Sequence, residues 1–548
     1  MRRVNLVVLA IFCYLSACAQ PTADSNRYTR ADSLRGGLRP ERTGYDVLFY
    51  DLSLRVDPTS RTIEGSNVIR YKVVRAFQQM QVDLFANMQV RRITQNGKPL
   101  TYRRDGNAIF ISMNQDQPVG QTREITISYG GSPTVAKNAP WDGGFVWQRD
   151  SVNNKPWVTV ACEGKGASLW WPCKDHLSDE PDSMRIRVRV PSGLTCVSNG
   201  LLQGQRPAGP GQTEWNWYVH YPINSYNVTL NVTDYAHFAD EYRSPDGQRL
   251  KLDYYVLPFN LSKAKTHFEQ VKGMLACYER YFGKYPFWRD GYKLVETPYW
   301  GMEHQSAIAY GNKYQNNPFN FDFIIIHESG HEYFGNSLSC ADHAEMWIHE
   351  SFTTYAEALY MECRQGAATA QTYLNTQRPL IRNEYSMLGP LGVNADQPDT
   401  DIYYKGSWML HTLRHAVNND TKWFAAIKAL ATEKKLSIVT TNEVIDFLIK
   451  RTGADLKPLF DQYLRHTELP VLEYQIMRTE ANERSIRYRW VANGQDFALP
   501  VQVRTGSGTW QTIRPSHEWA TTSLAPGTSP LTINTNIGLF DVRRLTTE

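Results

Sequence analysis

A multidomain α+β protein is the fold class this sequence predicts, on three observations. Apolar residues alternate with polar ones at period two from Tyr45 to about Asp234, the period turns helical from about Glu241 to Leu469, and strand patterns return after Leu469-Pro470. The expected division is a leader over residues 1–17, a tether over 18–42, an N-terminal β-sheet domain over 43–240, a helical domain over 241–469 and a small C-terminal β-sandwich domain over 470–548. With 548 residues, 42% hydrophobic and 21% charged, the chain is long enough for several packed cores. Lysine and arginine total 59 against 55 aspartates and glutamates, a net +4, which is too balanced for a protein that holds nucleic acid by neutralising phosphates. Mean hydropathy is −0.48 and no 18-residue apolar run follows the extreme N-terminus, which excludes a polytopic membrane protein.

The leader begins with Arg2 and Arg3, followed by an apolar stretch from Val4 to Leu15 of signal-peptide length. Leu15-Ser16-Ala17-Cys18 fits a bacterial lipobox, in which Cys18 carries lipid and the residues before it are removed. Ala17-Cys18-Ala19 also fits ordinary signal peptidase, which would release a soluble protein starting at Gln20. The expectation is therefore an exported chain of the bacterial envelope, periplasmic or membrane-anchored through Cys18, with secretion as the alternative. Six cysteines lie beyond Cys18, too few for a disulfide framework in a chain this long. Cys162 and Cys173 either pair in an oxidising compartment or remain buried thiols.

In the N-terminal β region, Leu52, Leu54 and Val56 alternate with Ser53, Arg55 and Asp57, the pattern of a half-buried strand. Asp57-Pro58-Thr59-Ser60 supplies a turn into a second strand, Ile63 to Val74, and Ile125 to Tyr129 repeats the alternation. Met184 to Val190 is the clearest strand, and its Arg185, Arg187 and Arg189 read as a solvated sheet face rather than a basic binding stripe. Ala264 to Tyr281 and Thr353 to Cys363 are the best amphipathic helices of the central region. In the last region, strands at Ser485 to Val491 and Leu499 to Arg504 are separated by the turn signal Asn493-Gly494.

The chemistry concentrates at His327-Glu328-Ser329-Gly330-His331, an HExxH sequence. Residues four apart share one helix face, so His327 and His331 can ligate one ion while Glu328 leans toward its open position. Glu350, nineteen residues after His331, supplies the third ligand from a second helix and leaves the fourth position for water. One Zn²⁺ ion is thus expected. Gly330 costs roughly 1 kcal/mol against Ala within a helix, which points to close packing beneath the metal. Asn317-Pro318 reads as the N-cap and first turn of this helix. The run Ile324-Ile325-Ile326 by itself favours strand, so the helix rests on the motif.

Here the sequence resembles the gluzincin aminopeptidases, the zinc enzymes that include alanyl aminopeptidase and leukotriene hydrolase. HESGHEYFGN is similar to that family's HELxHQWFGN, and WIHESF to its WLNEGF. Trp300-Gly301-Met302-Glu303-His304 stands where the family has GxMEN, Tyr403-Tyr404-Lys405-Gly406 resembles YxKG, and Trp171-Pro172-Cys173-Lys174-Asp175 is similar to the PCxD segment closing the β domain. The resemblance implies a thermolysin-like catalytic domain and hydrolysis of the N-terminal bond of peptides with a free N-terminus. It implies Glu328 as general base, Tyr403 as the hydroxyl stabilising the oxyanion (with Tyr404 beside it as the other candidate), Glu303 as the α-ammonium site, and Gly301 and Met302 beside the substrate. Glu163 falls where the β domain contributes a second amine-facing group, although Ala161 stands where the family usually has Gln.

Other departures are Trp300 for Gly and His304 for Asn in the amine motif, and His349 and Ser351 beside Glu350. Trp300 either narrows the first pocket or packs between domains, and His304 is expected to hydrogen-bond behind the ligands. Only 79 residues follow Leu469, too few for the helical superhelix many relatives carry, which implies an open site accepting longer peptides. Two rivals share these residues: a thermolysin-type endopeptidase, and a catalytically silent peptide-binding surface lipoprotein. The aromatic-rich β domains also allow a carbohydrate-binding role.

Overall fold

The structure, a computed structural model, describes residues 28–394, 400–478, 483–525 and 528–546. The leader and Cys18 lie outside the described residues.

The N-terminal half is built from antiparallel strands whose alternating side chains bury one face. Its largest sheet has eight strands, in the order Leu201–Pro207, Gln212–Val219, Ser183–Pro191, Tyr45–Asp57, Thr62–Val73, Thr122–Gly131, Met88–Gln95 and Lys98–Pro99. Tyr45–Asp57 and Ser183–Pro191 pair in parallel, and the other neighbours are antiparallel. The arginines of Ser183–Pro191 lie on the solvated face, Arg187 on Asp51 at 2.7 Å and Arg189 on Glu214 at 2.9 Å. A four-stranded sheet follows the order Thr195–Ser198, Leu230–Thr233, Pro156–Ala161 and Gly144–Arg149.

The segment expected to be a tether is folded from Arg30. Helices Arg30–Gly36 and Pro40–Thr43 lie against the β domain, and Arg42 is fully buried with its guanidinium on Asp83 at 2.6 Å. Buried charge is retained only when paired, so this arm is part of the domain.

The central region is not helical throughout. It opens with a five-stranded sheet, ordered Ala236–Arg243, Arg249–Val256, Tyr292–Glu296, Ile308–Tyr310 and Gly301–Met302. Residue 240 lies inside its first strand. Tyr292–Glu296 and Ile308–Tyr310 are buried throughout, which removes the alternation that marks a half-exposed strand. The helix expected from Ala264 to Tyr281 is two helices, Leu261–His267 and Gln270–Phe282. Thr353 to Cys363 is the later part of a longer helix, Trp347–Gln365. Cys277 and Cys363 form a disulfide joining the helices Gln270–Phe282 and Trp347–Gln365, whereas Cys162 and Cys173 are separate buried thiols. Of the two readings open for Cys162 and Cys173, buried thiols is the one found.

The last region packs a four-stranded sheet, Ala520–Ser523, Arg484–Val491, Val471–Arg478 and Asp541–Arg544, with a three-stranded one, Gln511–Ile513, Val501–Thr505 and Leu531–Ile533. Tyr463 donates to Leu539 O at 2.7 Å, and Arg378 donates to Phe540 O, fixing this unit to the helices. Among the described residues no helix is long and apolar enough to cross a membrane.

Candidate active site

The HExxH residues lie on the helix Phe323–His331, capped by Asp322 and not by Asn317. Asp322 Oδ1 accepts from Ile324 N at 3.0 Å, while its Oδ2 accepts from Tyr310 at 2.7 Å and faces His267 Nε2 at 2.7 Å. Asp322, adjacent to the first helical residue and held by five partners, thus outcompetes an Asn six residues before the helix. Asn317 instead closes the preceding turn, accepting from Phe319 N. Ile324, Ile325 and Ile326 are buried on all sides, so tertiary packing overrides their strand preference. A Cβ on Gly330 would lie 3.0 Å from Thr353 Cγ2, the close approach of two helices expected there.

His327 Nε2, His331 Nε2 and Glu350 Oε2 form a nearly equilateral triangle. His331 to His327 is 3.3 Å, His331 to Glu350 3.4 Å and His327 to Glu350 3.6 Å. Zinc–ligand bonds of about 2.0–2.1 Å in a tetrahedron require ligand separations of about 3.4 Å. The donors therefore fit Zn²⁺, and Glu350 Oε2 is buried with no hydrogen-bond partner of its own. The back of each imidazole is fixed: His327 Nδ1 lies 2.6 Å from Glu357 Oε1, and His331 Nδ1 lies 3.1 Å from Phe334 O. With each Nδ1–H given to an oxygen, each Nε2 is left as a lone-pair donor.

Carboxylates crowd the rest of the site. Glu163, Glu303 and Glu350 each bring an oxygen within 4.8 Å of the others', and Glu303, Glu328 and His331 form a second such group. Glu303 is buried, its Oε1 accepting from Tyr226 at 3.0 Å and its backbone carbonyl from Asn336 Nδ2 at 2.8 Å. Burial raises Glu303, and burial followed by the charges of Glu303 and Glu350 raises Glu163 well above the ordinary carboxylate range. Burial pushes Glu328 up to about 8, opposed by His327 and His331. Four carboxylates against two imidazoles leave a pocket that attracts cations.

Gly301 and Met302 form the outer strand of the five-stranded sheet, paired among the described residues with Ile308–Tyr310 alone, so the other edge is open. A Cβ on Gly301 would lie 2.5 Å from Glu328 Oε1, so only glycine lets this strand lie over Glu328. Tyr403 stacks on His327 with ring centroids 6.1 Å apart and lines a cavity of about 440 Å³ together with Glu163, Trp141, His343 and Tyr28. Tyr404 begins the helix Tyr404–Val417, and does not line that cavity, so Tyr403 is the tyrosine beside the ligands.

Two departures resolve differently from expectation. His304 is fully buried with neither ring nitrogen hydrogen-bonded, so the expected supporting bond is not made. Trp300 is not buried in an interdomain core but is 45% exposed at the rim, against Trp141 of the β domain. His349 accepts at Nε2 from Cys340 N at 2.9 Å, and Ser351 donates to Ile402 O at 2.7 Å, both holding the segment around Glu350. Sequence reasoning missed Tyr226 and Glu357. Glu357 was legible, because it lies seven residues after Glu350 on the same face of one helix. Tyr226 reaches the site from the β domain through tertiary contact and carries no sequence signal.

Comparison with known proteins follows the same lines. Residues 266–463 match the Peptidase family M1 domain. Aminopeptidase B of Mus musculus is 23% identical over 467 residues, covering 76% of this chain and 68% of that protein; for the Homo sapiens protein the identity is 24% and the share of its length 55%. Leucyl aminopeptidase of Saccharolobus solfataricus is 19% identical, with 74% of this chain and 52% of the relative aligned, so the chain spans between half and about two thirds of these relatives. The crystal structure of an M1 zinc metallopeptidase from Deinococcus radiodurans, bound to a Tyr-Ser-Ala substrate, superposes with a TM-score of 0.66 at 20% identity, covering 78% of this chain and 95% of that one. The β, helical and β regions thus form a fold shared with that enzyme, and residues 266–463, which hold the HExxH helix and Glu350, carry a Peptidase family M1 domain.

Proposed function

We propose that this chain is a zinc-dependent aminopeptidase that hydrolyses the N-terminal peptide bond of peptides with a free α-amine. The observation that carries the reading is the carboxylate pair Glu303 and Glu163 beside the metal triad. An ammonium is the group that two adjacent carboxylates, Glu303 buried and Glu163 half-buried, bind, and it puts the first peptide bond of a substrate at the metal.

His327, His331 and Glu350 would hold Zn²⁺, which would supply Lewis-acid polarisation of the scissile carbonyl and activation of water. Glu328 takes a proton from the attacking water as the water oxygen bonds to the carbonyl carbon. When the C–N bond breaks, Glu328 returns the proton to the departing amine nitrogen, which leaves the first residue as a free acid. The Tyr403 hydroxyl donates to the oxyanion that develops during attack. The open edge of Gly301–Met302 aligns the peptide backbone by strand addition. Glu303, oriented by Tyr226, holds the α-ammonium with Glu163.

The decisive experiment pairs free and N-acetylated peptides of one sequence. An aminopeptidase cleaves only the free form, whereas cleavage of both forms identifies the endopeptidase. Glu328→Gln is expected to abolish hydrolysis while retaining one zinc, and a fully active variant overturns the mechanism.

The same chain is read as an exported lipoprotein of the bacterial envelope. The lipobox ending at Cys18 supports this, as does a disulfide within the catalytic region, a bond that persists in oxidising compartments. Tyr28 lines the cleft ten residues after Cys18, a reach of at most about 36 Å, so an anchored enzyme would work close to its membrane. Cys18→Ser is expected to release the activity from the membrane fraction.

A further inference from the structure

Trp300 and Trp141 are two of the largest exposed apolar side chains, 45% and 64% accessible, yet they face each other with ring centroids 6.5 Å apart. Trp141 comes from the β domain and Trp300 from the strand edge of the catalytic region. Trp300 is held in place: its Nε1 donates to Asn312 Oδ1 at 3.0 Å, and Asn312 in turn donates to Asp322 Oδ1, the cap of the HExxH helix. Its ring stacks on Phe323 at 5.3 Å, and Phe323 stacks on His327 at 5.2 Å. A row of aromatic faces therefore runs from solvent to a metal ligand.

The order along the edge strand gives this row a direction. Glu303 receives the α-ammonium, Gly301 lies over Glu328 where the bond is cut, and Trp300 comes next. An extended peptide advances about 3.3 Å per residue, so the residue after the cleaved bond arrives beside Trp300. We propose that Trp300 and Trp141 form the subsite for that second residue and select peptides in which it is aromatic or large and apolar. The proposal rests on the aminopeptidase reading and deepens it. A side chain laid across the two tilted indoles covers surface that is otherwise left to water, and packs on aromatic faces of which Trp300 is anchored by Asn312.

The test is kcat/KM on a peptide series Ala-Xaa-Ala-Ala, with Xaa Trp, Phe, Leu, Ala or Asp. The wild type is expected to prefer Trp and Phe over Ala and Asp by about tenfold, expressed mainly in KM. Trp300→Ala and Trp141→Ala should each bring the ratio within about twofold, and Trp300→Phe should keep most of it. Trp141 is mostly exposed, so its variant reports on selectivity even if Trp300→Ala folds poorly. An active enzyme with a flat series, or a ratio untouched by both alanine variants, overturns the subsite while leaving the aminopeptidase reading intact. Failure to cleave any member overturns the reading beneath it and the subsite together.

Discussion

Glu357 touches no expected substrate atom, yet the geometry gives it a measurable share of metal binding. Its Oε1 lies 2.6 Å from His327 Nδ1, and its Oε2 accepts from the Tyr373 hydroxyl. Glu357→Gln keeps the size and an acceptor oxygen but removes the charge. A charge-assisted hydrogen bond is worth about 1.5–3 kcal/mol against about 0.5–1.5 for a neutral one, so the imidazole loses about 1 kcal/mol of orientation and basicity. Zinc affinity should fall about five- to tenfold. Glu357→Ala goes further, because it leaves His327 Nδ1–H and the Tyr373 hydroxyl without their partner at a site that is 1% exposed. The added desolvation cost is about 1–3 kcal/mol, for a total loss near a hundredfold, the upper end for such supporting groups. The assay is a competitive zinc titration against a chromophoric chelator, read without substrate. A Gln variant that holds zinc as tightly as the wild type, or an Ala variant no weaker than the Gln one, refutes this account of His327.

Three further predictions rest on separate parts of the molecule. Cys277 and Cys363 are 86 residues apart, so reducing their bond should cost about 4–5 kcal/mol by loop entropy; identical denaturant curves with and without reductant would refute this. Burial raises Glu180 to about 7 although Ser339 donates to it, so the folded state holds a proton that the unfolded chain releases above about 4.5. Its contribution is therefore full below about pH 4.5 and lost as pH rises through about 7. Glu180→Gln should accordingly gain stability over the wild type between those values, by up to about 3 kcal/mol at neutral pH, and parallel stability–pH curves would refute this. A Cβ on Gly406 would fall 1.8 Å from Ser351 Oγ and 2.5 Å from its Cβ. Gly406→Ala should therefore displace the segment around Glu350 and cost at least tenfold in activity, about 1.4 kcal/mol. Ser351→Gly in the same chain should restore it, and additive losses would show that the two residues do not collide.

The motif residues were legible because helix geometry forces His327 and His331 onto one face, and because Glu350 follows within reach of a second helix. The strands of the N-terminal sheet were legible for a similar reason: one side of Tyr45–Asp57 and Ser183–Pro191 meets a core and the other meets water. The same logic explains the failures. Tyr292–Glu296 is buried on both sides, so its apolar run carries no period, and the sheet that holds Gly301 and Met302 against Glu328 was hidden inside a region that otherwise reads as helix. Cys277 and Cys363 meet only because two helices cross. Tyr226 and Trp141 reach the cleft from the β domain, across a core it shares with Val295, Met302 and Ala309 of the catalytic region.

The site's charges bind these pieces into one argument. Glu163, Glu303, Glu328 and Glu350 repel one another, and burial makes each negative charge costly. A divalent ion at the triad would offset Glu350 and only part of the charge of the three other carboxylates clustered around it. A second cation, at Glu163 and Glu303, relieves the rest. A peptide with a free N-terminus brings that cation with it, and an acetylated peptide does not. Acetylation should therefore do more than remove one contact: it leaves the buried Glu303 and the half-buried Glu163 uncompensated. The discrimination between free and blocked substrates is then expected to exceed a hundredfold, beyond the few kcal/mol of a single lost ion pair at a protein surface. A difference of only a few fold would mean that Glu163 and Glu303 stay protonated and neutral through turnover, and the amine site would have to be sought elsewhere in the cleft.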